Sequence, residues 1–231
     1  MKIKNVCIAG NFSLAIECII YLTKNYKKIK LYSILNKNDN GQDSFQPSFK
    51  KFCLENKIEI IKLEDAYQIT NMVFFSLHFD KVLKVENFKT SKLYNIHFSL
   101  LPKYKGMHTT AWPILNGEKK TGVTLHKIDN GIDTGPIISR LGFSIKINDT
   151  AETVFLNYLK YGIKIFKKNI SNILTNKIYT SNQNILDSTY YSKKSLNFKT
   201  FKIDLNKTAF EIHNQVRSLI FEFYQLPSVY G

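Results

Sequence analysis

Residues 2–35, KIKNVCIAGNFSLAIECIIYLTKNYKKIKLYSIL, read as strand, helix, strand. The first apolar run closes at Gly10, and from Phe12 to Asn25 apolar side chains fall at 15, 16, 19, 20 and 22, the spacing of one helix face. Ile29 to Leu35 returns to a short apolar run, a second strand. Working outward, Asn36 to Gln46 is a polar, turn-rich loop, Ser48 to Asn56 a helix and Ile58 to Leu63 a strand. Met72 to Leu77 and Leu93 to Ile96 are further strands. Strands that alternate with helical segments predict an α/β fold, a mostly parallel sheet with crossover helices.

The second half of the chain continues differently. Val123 to Ile128 alternates like a half-buried strand, and Pro136 to Leu141, after a glycine turn, could pair with it. Ala151 to Ile173 forms one long helix, with a cap expected within Asn148 to Thr150. Ser181 to Ser195 is polar and reads as a linker. Ile203 to Leu205 reads as a short strand, Thr208 to Phe221 as an amphipathic helix, and Tyr224 to Pro227 as an irregular tail. The expected division is a catalytic domain over 1–180 and a C-terminal extension of hairpin and helix over 181–231.

Composition narrows the function classes. A chain of 231 residues that is 44% hydrophobic and 13% aromatic has ample core material, which argues against disorder. Its longest apolar stretch near the N-terminus, Phe12 to Leu22, is about half a membrane span and contains Glu17, so a soluble, cytoplasmic protein is expected. Cys7, Cys18 and Cys53 are odd in number and widely spaced, which points to buried thiols rather than a disulfide framework or a zinc site. The net charge of +15 raises a nucleic-acid hypothesis, yet the excess is scattered lysine, with arginine only at Arg140 and Arg217. Readers of bases and phosphates usually concentrate arginine, so small polyanionic ligands are the better expectation.

One stretch concentrates polar groups among turn signals: residues 95–136, NIHFSLLPKYKGMHTTAWPILNGEKKTGVTLHKIDNGIDTGP. Asn95 and His97 follow a strand, where open parallel sheets bind ligands, and Asp133 lies between Gly131 and Gly135. An amide, an imidazole and a carboxylate are the parts needed to stabilise an oxyanion, move a proton and hold the imidazole. By spacing alone, a His–Asp pair could equally be a structural hydrogen bond.

The pattern Asn95-x-His97-x-Ser99-Leu100-Leu101-Pro102-x-Tyr104-x-Gly106, with Gly122-Val123-Thr124 and Asp133-Thr134-Gly135, resembles the folate-dependent formyltransferase family. The resemblance runs over roughly residues 1–175 and implies a Rossmann-like domain that formylates an amine from 10-formyltetrahydrofolate. It implies catalytic roles for Asn95, His97 and Asp133: oxyanion donor, base, and support for the imidazolium. It also places folate between a loop containing Phe79, Asp80, Lys81, Val82 and Leu83 and a loop of Asp129, Asn130, Gly131 and Ile132. No metal is implied.

The acceptor is read from departures. Met107-His108-Thr109 stands where tRNA-directed relatives usually carry arginine, and residues 181–231 are expected to be too few for their C-terminal barrel. The ending from Ile212 to Pro227 looks like that of sugar-nucleotide N-formyltransferases. That resemblance implies a deoxythymidine-diphosphate amino sugar, foremost the 4-amino-4,6-dideoxyglucose, in O-antigen or lipopolysaccharide synthesis. His78, Tyr104, Met107, His108, Arg217 and Tyr224 are its expected contacts, with Arg217 on the diphosphate. Phe221 and Tyr224 would stack on the base or form a dimer seam. A homodimer is expected; methionyl-tRNA as acceptor and a non-catalytic RNA-binding protein are the alternatives.

Overall fold

The computed structural model describes residues 3–197 and 201–222. A seven-stranded sheet forms its centre, with a parallel half and an antiparallel edge. The parallel half contains β1 (Asn5–Gly10), β2 (Lys30–Leu35), β3 (Glu59–Ile60), β4 (Met72–Leu77) and β5 (Leu93–His97). A two-residue strand, β6 (Lys105–Gly106), follows, and then β7 (Lys120–Lys127) and β8 (Ile137–Ser144). The order across the large sheet is β3-β2-β1-β4-β5-β7-β8, with β7 and β8 antiparallel. Alternation sorts each strand's side chains by face. Val6, Ile8, Val73, Phe75 and Leu77 enter one core, while Cys7, Ala9, Met72 and Phe74 enter the other.

Helix α1 (Phe12–Asn25) starts where β1 ends, and Asn11 caps it by accepting from the Phe12 amide. Gly10 lets the two strand ends close up, since a β-carbon there would meet the Leu77 carbonyl oxygen at 2.1 Å. Helix α2 (Phe49–Glu55) follows a Ser48 cap. The expected strand over 58–63 is only β3, and Leu63–Gln68 is instead a helix, α3. Its first turn is set locally, by the Lys62 amide bonding the Asp65 carboxylate at 3.0 Å. A single turn, α4 (Trp112–Leu115), precedes β7. The long helix α5 (Ala151–Leu174) is capped by Thr150 and buries Val154, Phe155, Tyr158, Leu159, Ile165 and Phe166 in the core shared with α1.

The region after α5 departs most from expectation. Residues 181–195 are no free linker: they contain β9 (Tyr190–Tyr191), which pairs in parallel with β6. Ile203–Leu205 forms no strand, and the helix expected over 208–221 is α6 (Ala209–Arg217), closed at its start by a Thr208–Glu211 capping box. No hairpin is present among the described residues of the extension. Tyr224 and the rest of the tail lie outside the described residues.

Candidate active site

The antiparallel pairing of β5 with β7 sets Asn95 opposite His126 and His97 opposite Thr124. Two loops complete the site, one running from His97 through β6 and one from β7 to β8. Asp133, on the second, adopts a left-handed backbone at φ 56°. Phe12, His78, Tyr104 and His108 share that conformation, so strained backbone gathers at this end of the sheet, as is usual at functional sites.

The Asp133 carboxylate is the hub. Its Oδ2 accepts from the Gly106 amide at 2.9 Å and lies 3.4 Å from His97 Nδ1. Its Oδ1 accepts from Asn95 Nδ2 at 3.3 Å and lies 3.6 Å from His126 Nε2. Burial pushes this carboxyl upward, but the two imidazoles and the Gly106 amide outweigh burial and hold it well below the usual carboxylate range. Asp133 is therefore ionised at neutral pH.

His97 is buried, and its Nε2 lies 2.7 Å from the Tyr104 carbonyl oxygen. A carbonyl can only accept, so Nε2 carries the proton and the neutral ring leaves Nδ1 as its basic nitrogen. Burial lowers the His97 pKa despite the opposing pull of Asp133. The ring is thus neutral at pH 7 and turns a bare nitrogen toward a carboxylate that would stabilise the imidazolium.

Sequence reasoning missed His126, although the alternation of Val123 and Leu125 against Thr124 and His126 put two polar side chains on one strand face. His126 Nδ1 donates to the Lys127 carbonyl at 2.7 Å, which leaves Nε2 to accept from Asn95 Nδ2 at 3.1 Å. That bond and the contact to Asp133 fix the orientation of the Asn95 amide.

The other expected site residues divide into two groups. The loop of residues 78–83 is tied to the end of β2, since Asn36 Nδ2 donates to the His78 carbonyl and the Lys37 amide to Asp80. Phe79 is half-buried, Asp80 and Lys81 are exposed, Val82 is 77% exposed, and Leu83 is buried. Asp129 closes its own loop by accepting from the Gly131 amide and the Thr134 hydroxyl, leaving Asn130 and Ile132 exposed. Met107 is exposed, and His108 Nε2 lies 3.3 Å from the Lys193 carbonyl.

Three expected ligand contacts have other work. Arg217 is 5% exposed; its guanidinium donates to Asn214 and to the carbonyls of Lys146 and Asp149. It ties α6 to the loop before α5 and is corrected from diphosphate ligand to structural strut. Phe221 packs edge-on or tilted against Phe45 and Phe155, on the main domain. Tyr104 is buried, its hydroxyl donating to Glu118 and its ring stacked on Tyr191, so its part in the site is its carbonyl.

An amide donor, a neutral imidazole and an ionised carboxylate at the end of a doubly wound sheet are the parts of a group-transfer site that can supply general-base chemistry. The chain belongs to the formyl transferase family, whose pattern matches residues 49–170. An N-formyltransferase from Helicobacter canadensis, solved with folinic acid and dTDP-3-aminofucose, is 49% identical; the match covers 98% of this chain and 84% of that one, with a TM-score of 0.94. WlaRD, a sugar 3N-formyl transferase solved with dTDP and 5-N-formyl-THF, is 50% identical at a TM-score of 0.94 over 98% and 83% of the two chains. Among curated proteins, the bifunctional polymyxin resistance protein ArnA of Wigglesworthia glossinidia brevipalpis is 31% identical, over 89% of this chain and 32% of its own length. The chain spans between about a third and just under two thirds of the curated relatives matched at 31–32% identity.

Among the described residues, no cluster of His, Cys, Asp or Glu is suited to a metal, and no helix is long and apolar enough to cross a membrane.

Proposed function

We propose that this chain moves the formyl group of 10-formyltetrahydrofolate to the amine of a deoxythymidine-diphosphate amino-dideoxy sugar. The carrying observation is the convergence of Asn95, His97 and Asp133 within hydrogen-bonding reach, with His97 Nδ1 bare beside an ionised carboxylate. The folate loops fit this reading: Val82 on one and Ile132 on the other leave apolar surface exposed around main chain that can read a ring edge. Phe79, Asp80, Lys81, Val82 and Leu83 would hold the folate on one side, and Asp129, Asn130, Gly131 and Ile132 on the other. When bound, the folate supplies an activated formyl carbon.

His97 Nδ1 takes the proton that the amine must lose, and the imidazolium so formed is stabilised by Asp133 at 3.4 Å. As the bond between the formyl carbon and the folate nitrogen breaks, that proton passes to the departing nitrogen, giving tetrahydrofolate and returning His97 to its neutral form. Asn95 donates to the formyl oxygen as negative charge develops there, a contact worth about 3 kcal/mol of barrier. Both of its N–H groups already have partners, at 3.1 and 3.3 Å, so the longer contact, to Asp133, is the one exchanged.

The position of the amine is revised. The sequence reading favoured the 4-amino sugar, whereas the relatives at 49–50% identity are described with a 3-amino sugar or as 3N-formyl transferases. We therefore favour a 3-amino-3,6-dideoxyhexose, formylated in the cytoplasm and destined for a surface polysaccharide. A homodimer belongs to the same reading, supported by exposed apolar side chains such as Ile185 and Leu186. The test is tetrahydrofolate release with 3-amino and 4-amino deoxythymidine-diphosphate sugars and with methionyl-tRNA. Turnover confined to methionyl-tRNA would overturn the proposal.

A further inference from the structure

Residues 181–191 bond to both loops that build the site. Ser181 bridges Ile137 at the start of β8 through two main-chain bonds, of 2.8 and 2.9 Å. From there Gln183 Nε2 donates to the carbonyls of Asp133 and Gly135, each at 2.8 Å. The Gln183 Oε1 is buried with no hydrogen-bond partner among the described residues, a cost that the two donations across the same amide must offset. Further on, Thr189 Oγ1 accepts from the Tyr104 amide at 2.7 Å, and its carbonyl accepts from the Lys105 amide at 2.9 Å. The Tyr191 carbonyl accepts from Met107 at 2.8 Å, an approach open only because Gly106 has no side chain.

These contacts act on the atoms that orient the reacting groups. The Tyr104 carbonyl sets the His97 tautomer, and the Gly106 amide holds Asp133 Oδ2. Asp133 keeps a left-handed backbone that an L side chain rarely adopts, and Gln183 holds its carbonyl from outside the loop.

We propose that Gln183 is a positioning residue for the transfer, fixing the Asp133–Gly135 backbone so that the carboxylate faces His97 Nδ1, and that Thr189 does the same for the Tyr104 carbonyl. The inference rests on the reading of His97 and Asp133 given above. Gln183→Met keeps length without a donor, and Thr189→Val keeps shape without a hydroxyl. Each should lower kcat about tenfold or more, the loss of roughly one hydrogen bond's positioning, while KM for both substrates stays within about twofold. Thr189→Ser should restore turnover.

A second readout needs no turnover. Because the Asp133 charge pulls the His97 pKa upward against burial, releasing that carboxylate should move the imidazole titration to lower pH, followed by nitrogen NMR. Unchanged kcat and an unchanged His97 titration in folded Gln183→Met would overturn the proposal, even with a lowered Tm. A wild-type protein inactive on every amine, combined with a shifted titration in the variant, would sink the formyl-transfer reading while supporting the positioning role. If Gln183→Met fails to fold, Gln183→Asn, whose amide is one methylene short of the two carbonyls, is read by the same kcat and titration criteria, and Thr189→Val against Thr189→Ser decides the Thr189 half.

Discussion

His97 and His126 flank the same carboxylate, at 3.4 and 3.6 Å, and both are buried. They differ in which ring nitrogen meets a main-chain carbonyl. His97 gives its Nε2 proton to Tyr104, so its free nitrogen, Nδ1, faces Asp133. His126 gives its Nδ1 proton to Lys127, and its free nitrogen already accepts from Asn95. The first ring is set to take a proton; the second holds an amide in place. Two residues of one type, in one site, thus receive different chemistry from two backbone oxygens.

The comparison breaks most visibly at His97. His97→Asn should cut kcat about a thousandfold, within the range for a lost general base, with the far-ultraviolet spectrum unchanged. Asp133→Asn should cost about a hundredfold in kcat, because a charge-assisted contact becomes a neutral one. His126→Asn should cost only about tenfold, the loss of one neutral hydrogen bond. A His126 variant as damaged as the His97 variant would erase the distinction.

The smallest effect is a shift in pH dependence. His97 must be neutral to accept a proton, and burial lowers its pKa, so the acid limb of kcat/KM should lie below the ordinary imidazole value of about 6.5. Stability has the same sign. His97 and Asp133 both titrate lower in the folded state, so the unfolded chain binds more protons as pH falls. The His97 contribution is present above about pH 6.5 and lost as pH drops toward its folded value. The Asp133 contribution follows as pH falls below the ordinary carboxylate range. Melting curves at stepwise lower pH should show Tm falling, with Asp133→Asn flattening the more acidic part.

Local pattern made much of this legible. α1 runs over the predicted Phe12–Asn25, and α5 starts at Ala151 as predicted, because each contains a long apolar stripe and a side-chain cap. α3 was missed because its six residues are held by one local cap beside a strand that pairs over only two positions. Arg217 was misread because a guanidinium looks the same in sequence whether it meets phosphates or carbonyls; only the approach of Lys146 and Asp149 decides. The segment 181–191 carries no periodicity, since it is held by main-chain bonds and polar tips reaching loops far away in sequence.

By itself, then, the sequence determined the alternation that builds a two-faced sheet and the motif that names Asn95, His97 and Asp133, because apolar period and turn residues act over short range. The tertiary structure decided which nitrogen of each histidine is free, that His126 stands opposite Asn95, and that Gln183 and Thr189 bond to the loops carrying Asp133 and Tyr104. Those facts depend on strand register and on contacts across 31 to 85 positions of chain, which no local pattern encodes.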